Sequence, residues 1–279
     1  MNVINTKEII ENIKNDINIL KTKTPIKEPC VAIVRVGDHG DDITYEKSIV
    51  KRFALLNIKT QLNTYQNNVD NNYFINEIIK LNNDHNINGI IVLRPLPTSI
   101  DDDMVAKILD DNKDIDGLSY TNIARVFSQE NKGIIPCTPQ AVMSILEYLK
   151  IDLKGKNVTI VGAGMAVGRP LSIIILNERA TVTICRSLTS DLISECRKAD
   201  IIIAAAGVKH LITKEHVKKG AIVIDVGINV IDNKIYGDVD FDNVKLKAQA
   251  ITPVPGGVGS ITPYILAKQL FQNLVNQKK

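Results

Sequence analysis

Three glycines and an arginine–serine pair carry the clearest chemical signal in the chain. The apolar, β-branched run Val158–Val161 leads straight into Gly162-Ala-Gly164-Met165-Ala-Val-Gly168-Arg-Pro170, and a helical stretch follows. A strand, a Gly-x-Gly-x-x-x-Gly turn and a helix in that order suit a dinucleotide. The first glycine permits a tight turn, the second lets a pyrophosphate approach the backbone, and the third brings helix against strand. The helix N-terminus adds free N–H groups and a partial positive charge. The plainer alternative is a tight βα turn in an ordinary α/β domain. Further βαβ units downstream favour the dinucleotide. The next strand ends in Cys185-Arg186-Ser187, where an NAD site usually has a carboxylate for the ribose hydroxyls. A cation and a hydroxyl at that point suit the 2′-phosphate of NADP. NAD stays possible, with Arg186 then a solvated surface residue.

Elements that could position these groups recur along the chain. Val31–Val36, Gly89–Leu93, Val158–Val161, Thr181–Cys185, Ile201–Ala205 and Ile222–Val226 read as short, β-branched, largely apolar strands bounded by turn residues. Lys7–Leu20, Tyr45–Leu56, Tyr73–Asn82, Val142–Leu149 and Pro170–Asn177 have helical length and period. Alternation of this kind implies an α/β fold, with mostly parallel sheets covered on both faces. Pro136-Cys-Thr-Pro139 marks a domain boundary, with Thr138 as the expected cap of the following helix. A last helix, Thr262–Val275, has no strand after it and could pack back onto the first domain. The Asn run from Asn67 to Asn72 reads as a polar loop.

Composition narrows the function classes. The chain has 279 residues, enough for about two domains. Thirty-four basic and 31 acidic residues leave a net charge of only +3, which gives no general electrostatic grip on nucleic acid or anionic lipid. No segment reads as a secretory signal or a membrane span. Cys30, Cys137, Cys185 and Cys196 are widely spaced and lack a C-x-x-C pair, so they read as plain thiols in a reducing, cytoplasmic setting. His39, His85, His210 and His216 are scattered and read as solvated loop residues, and no metal site is expected.

Several longer motifs go further. Ile251-Thr-Pro-Val-Pro255-Gly256-Gly257-Val-Gly-Ser-Ile-Thr262 closely resembles the signature of the bifunctional methylenetetrahydrofolate dehydrogenase/cyclohydrolase family. Ile222-Val-Ile-Asp-Val-Gly-Ile228-Asn229, Gly237-Asp-Val-Asp-Phe241, Lys113-Asp-Ile-Asp116-Gly117 and Pro136–Pro139 resemble it in the same order and spacing. The resemblance implies an amino-terminal α/β domain plus a Rossmann-type dinucleotide-binding domain, with a folate cleft between them. The expected division is 1–139 with 262–279 for the folate and catalytic domain, and 140–261 for the NAD(P) domain. It also implies oxidation of 5,10-methylenetetrahydrofolate with NADP, hydrolysis of the methenyl product, and a homodimer. Asp116 would accept hydrogen bonds from a pteridine, although a turn or cap carboxylate is the plainer reading of that residue alone. Pro255, Gly256 and Gly257 would form a low, stiff backbone against the planar ligand. The cofactor set becomes Gly162, Gly164, Met165, Gly168, Arg186, Ser187 and Ile228, and Tyr45 is the catalytic candidate.

The chain departs from the family at selected polar positions. The family's catalytic helix has Ser-x-x-Tyr-x-x-x-Lys, and here Asp42, Tyr45 and Ile49 stand at those three places. Its Val-Gln-Leu-Pro-Leu-Pro becomes Val92-Leu93-Arg94-Pro95-Leu96-Pro97. A Tyr and a Lys four residues apart share a helix face and can share a proton; Ile49 can do neither. Lys47 and Lys51 lie about 200° and 240° around the helix from Tyr45, on other faces. Ala163 replaces an arginine common in the family's glycine turn, with Arg169 and Arg186 as candidate replacements, and Ser260 replaces a proline. The expectation is an NADP-dependent dehydrogenase whose cyclohydrolase step is lost or weak. The alternatives are a fully bifunctional enzyme with a relocated group and a non-catalytic folate- or dinucleotide-binding paralogue.

Overall fold

A computed structural model describes residues 2–130, 133–232 and 234–277. In chain order the first half contains β1 (Asn2–Val3), α1 (Thr6–Lys23), β2 (Cys30–Val36), α2 (Gly40–Leu55), β3 (Lys59–Tyr65), α3 (Asn71–Asn83), β4 (Gly89–Val92), α4 (Asp102–Ile108) and α5 (Tyr120–Ser128). The second half contains α6 (Cys137–Tyr148), β5 (Asn157–Val161), α7 (Gly168–Asn177), β6 (Thr181–Cys185), α8 (Leu192–Lys198), β7 (Ile201–Ala204), β8 (Ile222–Asp225), β9 (Asn229–Ile231), β10 (Lys234–Tyr236), α9 (Phe241–Val244), β11 (Ala250–Ile251) and α10 (Val258–Asn276). The chain forms two compact units, one of Met1–Ile10 with Thr138–Thr262 and one of Glu11–Cys137 with Pro263–Lys279.

The unit built on Thr138–Thr262 holds a six-stranded sheet in the order β1-β11-β8-β7-β5-β6, parallel throughout. From β5 the chain crosses outward to β6 and then back past β5 to β7. The carboxyl ends of β5 and β7 therefore form a topological switch point, where α/β sheets open a crevice for ligands. Its core is aliphatic, with Ile202, Ile212, Val217, Val223 and Ile251 all fully buried. The first ten residues were expected in the other domain. Instead β1 pairs with β11, Asn2 opposite Ala250 and Val3 opposite Ile251. A strand of two residues has no periodicity for a sequence to display.

The Glu11–Cys137 unit carries a smaller parallel sheet in the order β3-β2-β4. Phe74, Ile78 and Val105 pack against Ala32, Val34 and Ile90, burying the sheet under α3 and α4. Asp70 ends the polar loop and caps α3 by accepting from the Tyr73 N–H at 2.8 Å, so Asn71 and Asn72 belong to the helix.

Two local expectations need correction. Helix α6 begins at Cys137, which places Thr138 inside its first turn and not at its cap. First-turn N–H groups have no intrahelical acceptor, so Pro139 is accommodated there. His216 is buried, with Nδ1 lying 3.1 Å from both the amide N and the Oγ1 of Thr213, and burial pulls its pKa below the usual value. The other three histidines are exposed. Among the described residues, no helix is long and apolar enough to cross a membrane.

Candidate active site

The glycine turn behaves as its spacing requires. Gly162 has φ +119°, and a Cβ there would stand 2.0 Å from the Ala205 carbonyl oxygen. A Cβ on Gly168 would meet the Gly162 carbonyl at 1.9 Å, so the start of α7 presses directly on the turn. Gly164 is different: nothing lies within 4 Å of its Cβ position. The two flanking glycines thus permit close packing, while the middle one keeps a face open. Gly168→Ala is therefore expected to cost about 1–3 kcal/mol by overpacking, seen as a lower urea midpoint at unchanged slope. Gly164→Ala should leave that midpoint within error.

A cavity of about 550 Å³ opens at the switch point. Gly162, Ala163 and Gly164 line it from the β5 turn, Arg186 and Ser187 from the end of β6, and Ala205, Ala206 and Val208 from the end of β7. Four of the seven expected cofactor residues therefore meet in one place. Gly168 lies behind the turn. Met165 is exposed, and Arg169 ties back to the turn by donating to the Ala163 carbonyl at 3.0 Å and to Met165 Sδ at 3.1 Å. Ile228 is exposed between β8 and β9, beside Gly259. The exposed Arg186 is fixed at its backbone, where its N–H donates to Thr189 Oγ1 at 2.8 Å. Open space at Gly164, a helix N-terminus and a solvent-facing guanidinium fit a phosphorylated dinucleotide.

In the same unit, Pro255, Gly256 and Gly257 form the turn that enters α10. Gly256 has φ +103°, and a Cβ on Gly257 would stand 2.4 Å from the Pro253 carbonyl. Thr6 Oγ1 donates to the Gly256 carbonyl at 2.9 Å, and Ser260 Oγ donates to the Gly257 carbonyl at 2.7 Å. The serine that replaces a proline thus braces the loop. Pro255 and Gly256 stay exposed.

The other candidates lie in the Glu11–Cys137 unit. Asp116 follows Asp114, whose buried carboxylate accepts from the N–H groups of Gly117 (2.9 Å) and Ser119 (2.7 Å) and from Asn122 Nδ2 (2.9 Å). Lys113 anchors the same segment by donating to the carbonyls of Leu81, Asn82 and Asp84. Asp116 is half-buried; burial first, and then the Asp114 charge, push its carboxyl up to about 7, with Arg94 opposing. On α2, Tyr45 is half-buried and Ile49, one turn on, is completely buried. The helix runs unbroken from Gly40 to Leu55, and Lys47 and Lys51 are exposed. Two half-buried arginines lie near in sequence: Arg52 donates to Ser48 Oγ at 2.7 Å and to the Ser48 carbonyl at 3.2 Å, and Arg35 donates to Glu46 Oε2 at 2.9 Å and to the Gly37 carbonyl. Leu93 is buried beyond β4, its N–H on the Val34 carbonyl at 2.9 Å.

Comparison with known proteins matches this arrangement. Residues 4–116 match the family model described as tetrahydrofolate dehydrogenase/cyclohydrolase, catalytic domain, and residues 136–278 match its NAD(P)-binding domain. The chain belongs to the tetrahydrofolate dehydrogenase/cyclohydrolase family. Over 268 residues it is 44% identical to the bifunctional protein FolD of Clostridium botulinum (strain Okra / Type B1), covering 95% of each chain. The crystal structure of the bifunctional FolD enzyme of Campylobacter jejuni superposes with a TM-score of 0.89 at 40% identity, covering 98% of this chain and 96% of that one. The Trypanosoma brucei enzyme, solved with NADP cofactor and inhibitor, gives a TM-score of 0.90 at 31% identity, over 99% of this chain and 97% of that one. These family members share the fold that carries the glycine turn and the Pro-Gly loop.

Sequence reasoning gave no role to two buried carboxylates behind the cavity. Asp225 Oδ1 accepts from the N–H groups of Gly227 and Asp238, each at 3.0 Å, and its Oδ2 from Val239 at 2.9 Å. Burial raises its pKa to about 7. Asp238 accepts in turn from the backbone beyond β7. Both belong to motifs quoted above for their resemblance, and that resemblance was the available signal.

Proposed function

We propose that this chain catalyses NADP-dependent oxidation of 5,10-methylenetetrahydrofolate to the 5,10-methenyl cation, and that it hydrolyses the cation poorly or not at all. The reading takes 140–261, joined by the first ten residues, as the dinucleotide domain and 11–139 with 262–279 as the folate and catalytic domain, in a homodimer. NADP, when bound, supplies a nicotinamide that accepts the hydride leaving the one-carbon unit. Gly162, Gly164 and Gly168 would admit its pyrophosphate, Arg186 and Ser187 its 2′-phosphate, and Met165 and Ile228 would contact its flanks. Asp116 would orient the pteridine by accepting from its N–H groups, and Pro255, Gly256 and Gly257 would lie against its plane. The folate nitrogen stabilises the cation as hydride leaves, so this step calls mainly for positioning and exclusion of water.

Hydrolysis asks for more. Water must lose a proton as it adds to the cation, and the Tyr45 phenol needs a proton-sharing neighbour to assist. One observation carries the proposed loss: the family's lysine position, one turn after Tyr45, is held by Ile49, wholly buried, on an unbroken helix whose nearby lysines are exposed. Absorbance of the methenyl chromophore tests both halves. With NADP it should accumulate and persist, with NAD it should form more slowly, and with neither it should not form. Prompt disappearance of the methenyl signal would establish the bifunctional reading, and no signal with either nucleotide would establish a non-catalytic paralogue.

A further inference from the structure

We propose that Asp238 is a positioning residue for the dinucleotide, holding the backbone of Ala206–Val208 in place as the cavity wall opposite the glycine turn. The inference rests on the dinucleotide reading of that cavity. Strand β7 ends at Ala204, and beyond Ala205, whose N–H still donates to the Val161 carbonyl at 2.7 Å, the chain must turn without a ladder partner for its next N–H groups. One carboxylate collects three of them. Asp238 Oδ2 accepts from Ala206 at 2.6 Å and Gly207 at 2.9 Å, while Oδ1 accepts from Val208 at 2.9 Å and from Asn229 Nδ2 at 3.0 Å. The side chain is completely buried, so these bonds form away from competing water.

The held segment is the part that lines the cavity, through Ala206 and Val208. It also touches the phosphate turn, since a Cβ on Gly162 would lie 2.0 Å from the Ala205 oxygen and 3.0 Å from the Ala206 nitrogen. A shift of Ala206 is therefore transmitted to the turn that would cradle the pyrophosphate. Asp238 has no freedom of its own. Asp225 grips its backbone N–H, and a Cβ on Gly227 would stand 2.1 Å from its carboxyl carbon. The two aspartates form a relay from the end of β8, through Asp238, to the turn after β7.

Asp238→Asn tests this directly. Either amide orientation turns an N–H donor toward backbone donors, so the turn must shift. Leaving buried donors without acceptors is unfavourable, so the Ala206–Val208 backbone is expected to move from its cavity-lining position. The chain has no tryptophan, so NADPH fluorescence reports binding without indole background. The variant should show an NADPH Kd at least tenfold above wild type, with kcat at saturating NADP and the folate KM within threefold. Asn229→Ala, which removes one donor and leaves the carboxylate, should raise the Kd about threefold at an unchanged melting temperature. It decides the matter should Asp238→Asn not fold. A folded Asp238→Asn with NADPH affinity within twofold of wild type overturns the proposal, as does unaltered affinity in Asn229→Ala when the first variant fails to fold. A fall in kcat and rise in both KM values in step also overturns it. Wild-type protein that binds no NADPH removes the dinucleotide reading as well.

Discussion

Replacing Ile49 by lysine together with Leu93 by glutamine is expected to raise hydrolysis of methenyltetrahydrofolate at least tenfold over the unmodified chain. Losing a positioned acid–base group typically costs ~10²–10⁴ in rate, so the unmodified chain should lag a lysine-bearing relative by that order. The geometry favours a gain. Ile49 follows Tyr45 by one helical turn, and side chains on a helix lean toward its N-terminus, so a lysine at 49 would reach back over the Tyr45 turn. Its methylenes would occupy the site that Ile49 fills, while the ammonium extends toward the exposed side of Tyr45. A charge entering a completely buried position also lowers stability, so the melting temperature should fall. Ile49→Met, similar in volume but without an amine, should give no gain. Removing the exposed Lys47 and Lys51 together should leave the residual rate unchanged. A wild-type hydrolysis rate within tenfold of the lysine-bearing relative would defeat the idea at once, whatever the variants do.

The sequence showed the longer helices and the apolar strands, and missed elements that are short or polar. Ile201–Ala204 and Ile222–Asp225 are continuous apolar runs because helices cover both sides of that sheet. Strand β3, Lys59–Tyr65, was missed. It is an edge strand paired only with β2, and most of its residues are polar and reach solvent, so no apolar run announces it. The site was legible where chemistry demands a residue type. A left-handed turn or a close backbone approach needs glycine, and the structure shows the first at Gly162 and the second at Gly168. Asp238 was not legible, because a carboxylate that serves distant backbone N–H groups leaves no local pattern. Its partners lie about 30 residues away and become neighbours only when β8 lies beside β7. The buried state of His216 escaped for a similar reason: its position depends on packing around Thr213, and nothing in its spacing reveals this.

Asp116→Asn is expected to separate folate recognition from the stability of the free protein. The carboxyl of Asp116 is pushed up to about 7, chiefly by burial and then by the Asp114 charge, against the pull of Arg94. On the proposed pteridine role, the protonated acid below that value would offer fewer lone pairs to pteridine N–H groups, and the carboxylate above it would accept with both oxygens. In wild type the folate KM should therefore fall between pH 6 and pH 8 and level off beyond. Hydrogen bonds to a charged group contribute about 1.5–3 kcal/mol, so the Asn variant should show a KM about 10–100-fold higher at pH 8, with that slope gone. Stability runs the other way. An acid whose folded pKa lies above its unfolded value stabilises the fold most at low pH, and that contribution is lost as pH rises through about 7. Asparagine carries no charge to desolvate. Urea unfolding should thus find Asp116→Asn more stable than wild type at pH 8, with the advantage shrinking toward pH 5. Asp225 titrates in the same window in both proteins, so the difference between them isolates Asp116. A KM that is flat from pH 6 to 8 in wild type, or equally sloped in the variant, would show that Asp116 is a turn carboxylate and that the pteridine is held elsewhere. The trade is physically coherent: a carboxylate half-buried beside a second one destabilises the empty protein, and the N–H groups of a bound pteridine would offset that cost.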